Sequence, residues 1–358
     1  MENRLIRKAT VILSIVMVFI CCIVMLLPYT HSGFVDIREA RIRYQQQKRA
    51  NDQMTPLELL EYNTKKEAQK QTIKVSNLLK IPLPEGTTVK DIVVHNDYVK
   101  KKIEIAIPGL NQEFLLQHPV IGSSNWIVDL EMEENESGMN LVLSMDTVVE
   151  TSVRENSQYV YLSFQRAKEK YDKRIVIDAG HGGTDPGCVV GTTMEKDVNV
   201  QIVEKLKKLL DQQDRVGVYY TRTEDPKPTY QQRVDLANDT EASYFISIHQ
   251  NSVPKPSDNY IEGIEILYDT SENKAVDASK NFARICMESV ARESGGRNRG
   301  IIERNDLFVL NHTNMASIIV ETGYLTNKEE REKLKDANYQ KKIAQGLYDA
   351  IMKALEEN

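Results

Sequence analysis

The chain has 358 residues, 41% of them apolar and 27% charged, with a formal net charge of -6. That length allows two domains and a sizeable core. The acidic balance, with no basic run interleaved with aromatics, excludes a nucleic-acid binder, because phosphate contacts need clustered positive charge.

Thr10 to Leu27 is an uncharged apolar stretch of 18 residues preceded by Arg4, Arg7 and Lys8. It is long enough to cross a bilayer. A cleavable signal peptide usually has a shorter apolar core, and Thr30-His31-Ser32 is a weak cleavage site, so residues 1–35 read as a cytoplasmic tip and an uncleaved signal anchor. Arg38, Arg41, Arg43, Lys48 and Arg49 follow the span. They partly cancel the positive-inside signal, and charge alone does not orient the chain. Cys21 and Cys22 fall inside the span, which leaves Cys188 and Cys286 and the option of one bridge between them. No CxxC spacing suggests a thiolate metal site.

Residues 36–81 are rich in Arg, Lys, Gln and Glu and read as a charged stalk with helical pieces. Thr55-Pro56-Leu57-Glu58 predicts one helix start, with a cap, a proline at the first helical position and a glutamate that can bond back. Residues 82–167 change to period two. Ile103, Ile105 and Ile107 alternate with polar positions, followed by Val128, Leu130 and Met132, then Leu141, Leu143 and Met145, then Val160, Leu162 and Phe164. The pattern predicts a small antiparallel sandwich. Trp126 reads as core rather than as a sugar-stacking platform.

Beyond a polar link, Ala167 to Lys173, strands alternate with helices through residues 174–358, which predicts an α/β domain with a twisted, mostly parallel sheet and helices on both faces. Expected strands are Ile175 to Ile177, Val216 to Thr221, Tyr244 to Ile248, Gly263 to Tyr268 and Ser317 to Val320. Expected helices run from Glu195 to about Leu210, from the capping box of Thr229 and Gln232 to Asn238, from Asn273 to Ser294 before Gly295-Gly296, and after the Asn327 and Glu330 cap. Tyr339, Ile343, Leu347, Ile351 and Leu355 stripe the last one.

Arg174 to Gly187, RIVIDAGHGGTDPG, is a short apolar run ending in His181 among glycines. Alone it is either a tight turn capped by an imidazole or a strand that delivers His181 into a site. Two further strands end in residues capable of chemistry, His249 and Glu321, and Glu195 opens a helix 14 residues after His181. Sites in open α/β sheets sit at that edge. Two histidines and a carboxylate make the three-ligand set of a catalytic zinc, and a second carboxylate is then available for proton work. His312, in a polar loop nearby, is a weaker candidate ligand.

The segments VIDAGHGGTDPG, EKDVN, YYTRTED, QQRVDLAN, FISIHQNS, GIEILYD, RNRGI and IIVETGYLTN give Arg174 to about Lys353 a resemblance to zinc-dependent N-acetylmuramoyl-L-alanine amidases, which cleave peptidoglycan. The resemblance implies one Zn2+ held by His181, Glu195 and His249, with Glu321 as the catalytic glutamate. Ala179 and Gln250 depart from the family pattern, at positions expected not to touch a ligand. Some members carry an extra helix that plugs the site until a partner removes it. Here His249 and Glu321 are 72 residues apart, room for a strand, a long helix and a short strand only, so no obligatory activator is expected. Since peptidoglycan lies outside the cytoplasmic membrane, the resemblance also implies a single-pass membrane protein with its stalk and both domains facing the wall. A non-catalytic wall-binding protein on the same fold is the alternative, as fold alone does not grant activity; retention of all four residues favours the enzyme. A zinc carboxypeptidase would use similar ligands but not the combined motifs.

Overall fold

A computed structural model describes residues 54–69, 77–135, 138–156, 158–254, 259–269 and 276–357. The expected membrane span, Thr10 to Leu27, lies outside them, as does the first part of the expected stalk. Among the described residues no helix is long and apolar enough to cross a membrane.

A helix, α1 (Pro56–Gln69), begins at the proline the capping pattern marked. It is followed by β1 (Leu78–Pro82), β2 (Val93–Asp97), β3 (Lys102–Pro108), a short α2 (Gln112–Gln117), β4 (Ile121–Ser123), β5 (Ile127–Asn135), β6 (Gly138–Met145), β7 (Val149–Asn156) and β8 (Tyr159–Arg166). These strands form two antiparallel sheets, ordered β4-β1-β8-β7 and β2-β3-β6-β5. The alternating side chains of β3, β6 and β8 meet in one core: Ile103, Ile105, Ile107, Leu141, Leu143, Val160, Leu162 and Phe164 are all buried there, and Trp126 packs against it.

Two readings need correction. Val128 is not a core residue, because β5 slips register against β6 between Ile127 and Asp129. Such a bulge re-aims side chains, and Val128 is left 58% exposed while Leu130 stays inside. The stretch read as stalk also supplies structure to the sandwich: Leu60 of α1 and Leu79 and Ile81 of β1 are buried in its core. The exposed charges of α1 dominate its composition and conceal that one apolar face.

The second half contains α3 (Ala167–Lys170), β9 (Lys173–Ala179), β10 (Val189–Val190), β11 (Thr193–Met194), α4 (Glu195–Leu210), β12 (Val216–Tyr220), α5 (Tyr230–Asp239), β13 (Tyr244–Asn251), β14 (Ile264–Tyr268), α6 (Val276–Ser294), β15 (Asn298–Glu303), α7 (Phe308–His312), β16 (Ala316–Tyr324), α8 (Lys328–Lys335) and α9 (Ala337–Glu357). The main sheet has the order β12-β9-β13-β16-β14-β15. Its pairs are parallel except β14 with β16, so the fold is α/β with a mostly parallel sheet. Both capping predictions hold: Thr229 accepts from the Gln232 backbone, and Asn327 from that of Glu330. The short helix α7 was not expected, and β13 and β16 continue through His249 and Glu321 instead of stopping before them.

Alternation along the central strands sends Ile175, Ile177, Ala179, Ile246 and Ile248 to one face, where Val198 and Ile202 of α4, Phe282 and Val290 of α6 and Ile343 and Leu347 of α9 cover them. Val176, Phe245 and Ile319 face the other way, against Val234 of α5 and Val309 of α7. The sandwich shares that second layer. Val148 and Ala167 are buried in it, and Tyr98 packs its ring edge-on to Tyr219 at 5.1 Å. The link from Ala167 to Lys173 is therefore a helical turn anchored in a common core, not a free polar connector. Glu150, 4% exposed, accepts from Tyr219 Oη at 2.7 Å and from Lys170 Nζ at 2.7 Å. Replacing Glu150 with alanine would strand both donors, and a loss of about 1–3 kcal/mol is expected in denaturant unfolding. An unchanged midpoint would show that this contact does not hold the two layers together.

Candidate metal centre

The site lies at the carboxyl edge of β9, β13 and β16. β9 ends at Ala179, and the chain turns so that His181 adopts a left-handed backbone with φ 61°. A non-glycine residue keeps that conformation only when its surroundings fix it. Here two buried arginines do so. Arg222 donates from Nε to the Ala179 carbonyl at 2.9 Å and from Nη2 to that of Gly180 at 2.7 Å. Arg233 donates from Nη1 to Ala179 O at 2.8 Å and from Nη2 to His181 O at 2.7 Å. Asn199 of α4 adds a bond to Gly180 O at 3.0 Å.

The charge of Arg233 is met by Asp178, which also accepts from Thr221 Oγ1 and Ser247 Oγ, each at 2.6 Å. Burial alone would raise the Asp178 carboxyl. The Arg233 guanidinium and the two hydroxyls outweigh it and hold the group below its ordinary 3.8.

His181 Nδ1 lies 3.1 Å from Asp185 Oδ1, which leaves Nε2 facing Glu195 Oε1 at 3.2 Å. His249 Nδ1 approaches the same oxygen at 2.8 Å, and the two imidazoles stand edge to face with centroids 4.9 Å apart. One donor atom from each of His181, Glu195 and His249 falls within 4.8 Å of the others, the one such cluster among the described residues. Glu195 also accepts from the Cys188 backbone at 2.9 Å and the Gln250 backbone at 3.2 Å. Gln250 therefore does touch a candidate ligand, through its main chain, while its side chain turns to Thr322. Burial would raise the Glu195 carboxyl, but its bonds to His181 and His249 prevail and keep it well below the usual range.

Two glycines are needed by space. A Cβ on Gly180 would lie 2.2 Å from the His249 ring, and one on Gly187 would lie 2.5 Å from Glu195 Oε2. Gly187 has φ 66° besides, so it serves the turn as well.

Glu321 pairs directly with His249 across β13 and β16. It is half-buried, and its Oε2 has no hydrogen-bond partner. Burial pushes its carboxyl up to about 7, and the nearby carboxylates of Glu195 and Glu265 push the same way.

The four residues singled out from sequence thus converge. His312 does not: it sits exposed on α7, stacked on Phe308 with centroids 3.9 Å apart. His95 is exposed on β2, His118 ends α2, and His31 lies outside the described residues. Cys188 and Cys286 are both free, so they form no bridge. Sequence reasoning assigned no role to Asp178, Asp185, Asn199, Arg222 or Arg233. Arg222, Arg233, Asn199, Asp178 and Asp185 all fall inside the quoted motif segments, which was the available signal. A cavity of about 530 Å³ lies elsewhere, lined by Glu262, Arg297, Glu330, Lys333 and Tyr339 among others, and contains none of the cluster residues.

The family model for N-acetylmuramoyl-L-alanine amidases matches residues 175–353, half of the chain. This chain belongs to that family. Among its amidase relatives, LytC of Bacillus subtilis (strain 168) is 34% identical over 178 residues, a match covering 50% of this chain and 34% of LytC. The chain thus spans about a third of the length of that relative. The crystal structure of the amidase from Clostridium difficile 630 is 35% identical and covers 52% of this chain and 98% of its own, with a TM-score of 0.49. The CwlD amidase from Clostridioides difficile, solved in complex with the GerS lipoprotein, is 31% identical over 52% of this chain and 100% of its own, with a TM-score of 0.46.

Two outcomes test this geometry. Gly180→Ala is expected to push the His249 ring aside and weaken divalent-metal binding by about 10–100-fold in calorimetric titration, as loss of ligand support does elsewhere. Unchanged affinity would show that the His249 ring does not need the space that Gly180 leaves. Because the Asp178 carboxyl is depressed in the folded state, its contribution is complete above its ordinary value and is lost as pH falls through the folded one. Stability is expected to decline as pH drops below about 5, and Asp178→Asn to flatten that decline; parallel acid limbs in urea unfolding would contradict this.

Proposed function

We propose that the chain hydrolyses the amide bond between N-acetylmuramic acid and L-alanine in peptidoglycan, using one zinc ion held by His181, Glu195 and His249. The observation that carries this reading is the cluster itself. Ligand atoms of a tetrahedral zinc at its usual bond lengths lie about 3.3 Å apart, and Glu195 Oε1 stands 3.2 Å and 2.8 Å from the two imidazole nitrogens. The set is two imidazoles and a carboxylate, and the unpartnered Glu321 Oε2 stands beside it. The residues fit the ion.

A zinc ion in this position would supply Lewis-acid polarisation of the scissile carbonyl. The protein's own groups do the rest. Asp185 holds His181 by Nδ1 and so keeps Nε2 turned inward. Glu195 is kept ionised by its neighbours, as a ligand must be. Glu321, whose second oxygen is uncommitted, takes the proton of the attacking water and returns it to the departing L-alanine nitrogen. The four retained residues also weigh against a non-catalytic wall binder.

The interval between His249 and Glu321 supports activity without an obligatory partner. Its long helix, α6, is committed to the core through Phe282, Ala283, Cys286 and Val290, and α7 buries Val309 and Leu310. Neither helix supplies a residue to the cluster. The same reading places the catalytic half outside the cytoplasmic membrane, where the substrate is, tethered by Thr10 to Leu27.

Purified protein is expected to release stem peptides from sacculi without an added partner, to lose that activity to a chelator and to regain it with zinc. Glu321→Ala is expected to lower turnover by about 10²–10⁴-fold while binding metal as before; full activity in the variant would remove Glu321 from the chemistry.

A further inference from the structure

A row of side chains continues beyond the pair His249 and Glu321. In the antiparallel pair of β14 and β16, Glu265 stands directly opposite Glu321. Residues opposite each other in such a pair project to the same face. Glu265 is buried at 7% exposed, which is costly for a carboxylate unless it is well bonded. It is: Asn251 Nδ2 reaches Oε2 at 2.8 Å, and Oε1 accepts from Tyr324 Oη at 2.8 Å and Arg299 Nε at 2.7 Å.

Arg299 comes from β15, the next strand. Its bond to Glu265 engages Nε, and the guanidinium also lies over the Tyr324 ring, 5.6 Å from the centroid. That fixes the plane of the group from two sides. The Tyr324 hydroxyl bonds the guanidinium as well, and the side chain stays 30% exposed. An arginine whose sole task was to neutralise Glu265 could turn both terminal nitrogens to the buried oxygens; here Nε is the atom bonded to Glu265, on a side chain that remains partly exposed, and a guanidinium suits a carboxylate.

Distance selects the ligand. With strands spaced about 4.8 Å apart, β15 lies about 10 Å from β16. An extended peptide covers about 3.3–3.6 Å per residue, so a chain whose scissile amide sits at Glu321 brings the second or third residue past that bond to Arg299.

We propose that Arg299 is a substrate-binding residue, which pairs with a free carboxylate on the peptide stem just beyond the L-alanine. This rests on the amide-hydrolysis reading above, and it adds a preference: acidic stems over stems whose carboxylate is amidated. Glu265 and Tyr324 are the positioning residues that orient the guanidinium.

The test uses the full chain loaded with zinc and two soluble muropeptides that differ only in a carboxylate or a carboxamide on the second stem residue. The parent protein is expected to favour the carboxylate by about tenfold in kcat/KM, mainly through KM, the scale of a charge-assisted bond. Arg299→Lys keeps a cation beside Glu265 but loses the fork, and is expected to bring the ratio near one; a melting curve confirms that it is folded. A merely structural role would slow both substrates equally and leave the ratio intact, and that result overturns the proposal. Equal rates on both substrates in the parent protein overturn it as well. Failure of the parent to cleave either one would instead strike the amide-hydrolysis reading.

Discussion

Two guanidinium groups hold the carbonyl oxygens of three consecutive residues, and the site follows from that restraint. Where β9 ends, Ala179, Gly180 and His181 would present buried carbonyls with no strand partner, a costly arrangement. Arg222 and Arg233 satisfy them from the side. The positive charge this brings into the interior is balanced by Asp178 on the same strand, itself bonded to hydroxyls from β13 and the end of β12. The left-handed backbone of His181 is held by this lattice through its own carbonyl and those of the two residues before it. A ligand fixed in this way loses little further freedom when an ion binds.

The same neighbourhood sets two glutamates to different tasks. Glu195 stands against two imidazoles and accepts from two backbone amides, all of which favour the charged form. Glu321 has burial and two carboxylates against it, and no donor on Oε2. Carboxyl groups whose surroundings push them apart in this way suit different roles, one as a fixed anion and the other as a carrier of protons.

Much of this was legible in the sequence, because the signals are local. Apolar runs, capping boxes and the polar residues that end them placed His181, His249 and Glu321 at one sheet edge, and the helix opening at Glu195 is where the spacing put it. The buried arginines escaped notice because an arginine inside a motif looks like any surface charge until its carbonyl partners are known, and those of Ala179, Gly180 and His181 are 42 to 54 residues away in sequence. The bulge at Val128 escaped for a related reason: register belongs to a pair of strands, and one strand's alternation does not contain it. The role of α1 was hidden by its charged face.

The region that matches the amidase family begins at Ile175, in the middle of β9. The apolar layer on that strand's second face continues without a break to Val148, Ala167 and Tyr98 of the sandwich. Shared ancestry and cooperative folding are thus bounded at different places. A fragment cut at the edge of homology would lay bare Tyr219 and the neighbours that Tyr98 and Val148 now cover, and it would inherit a sticky face in place of a domain surface.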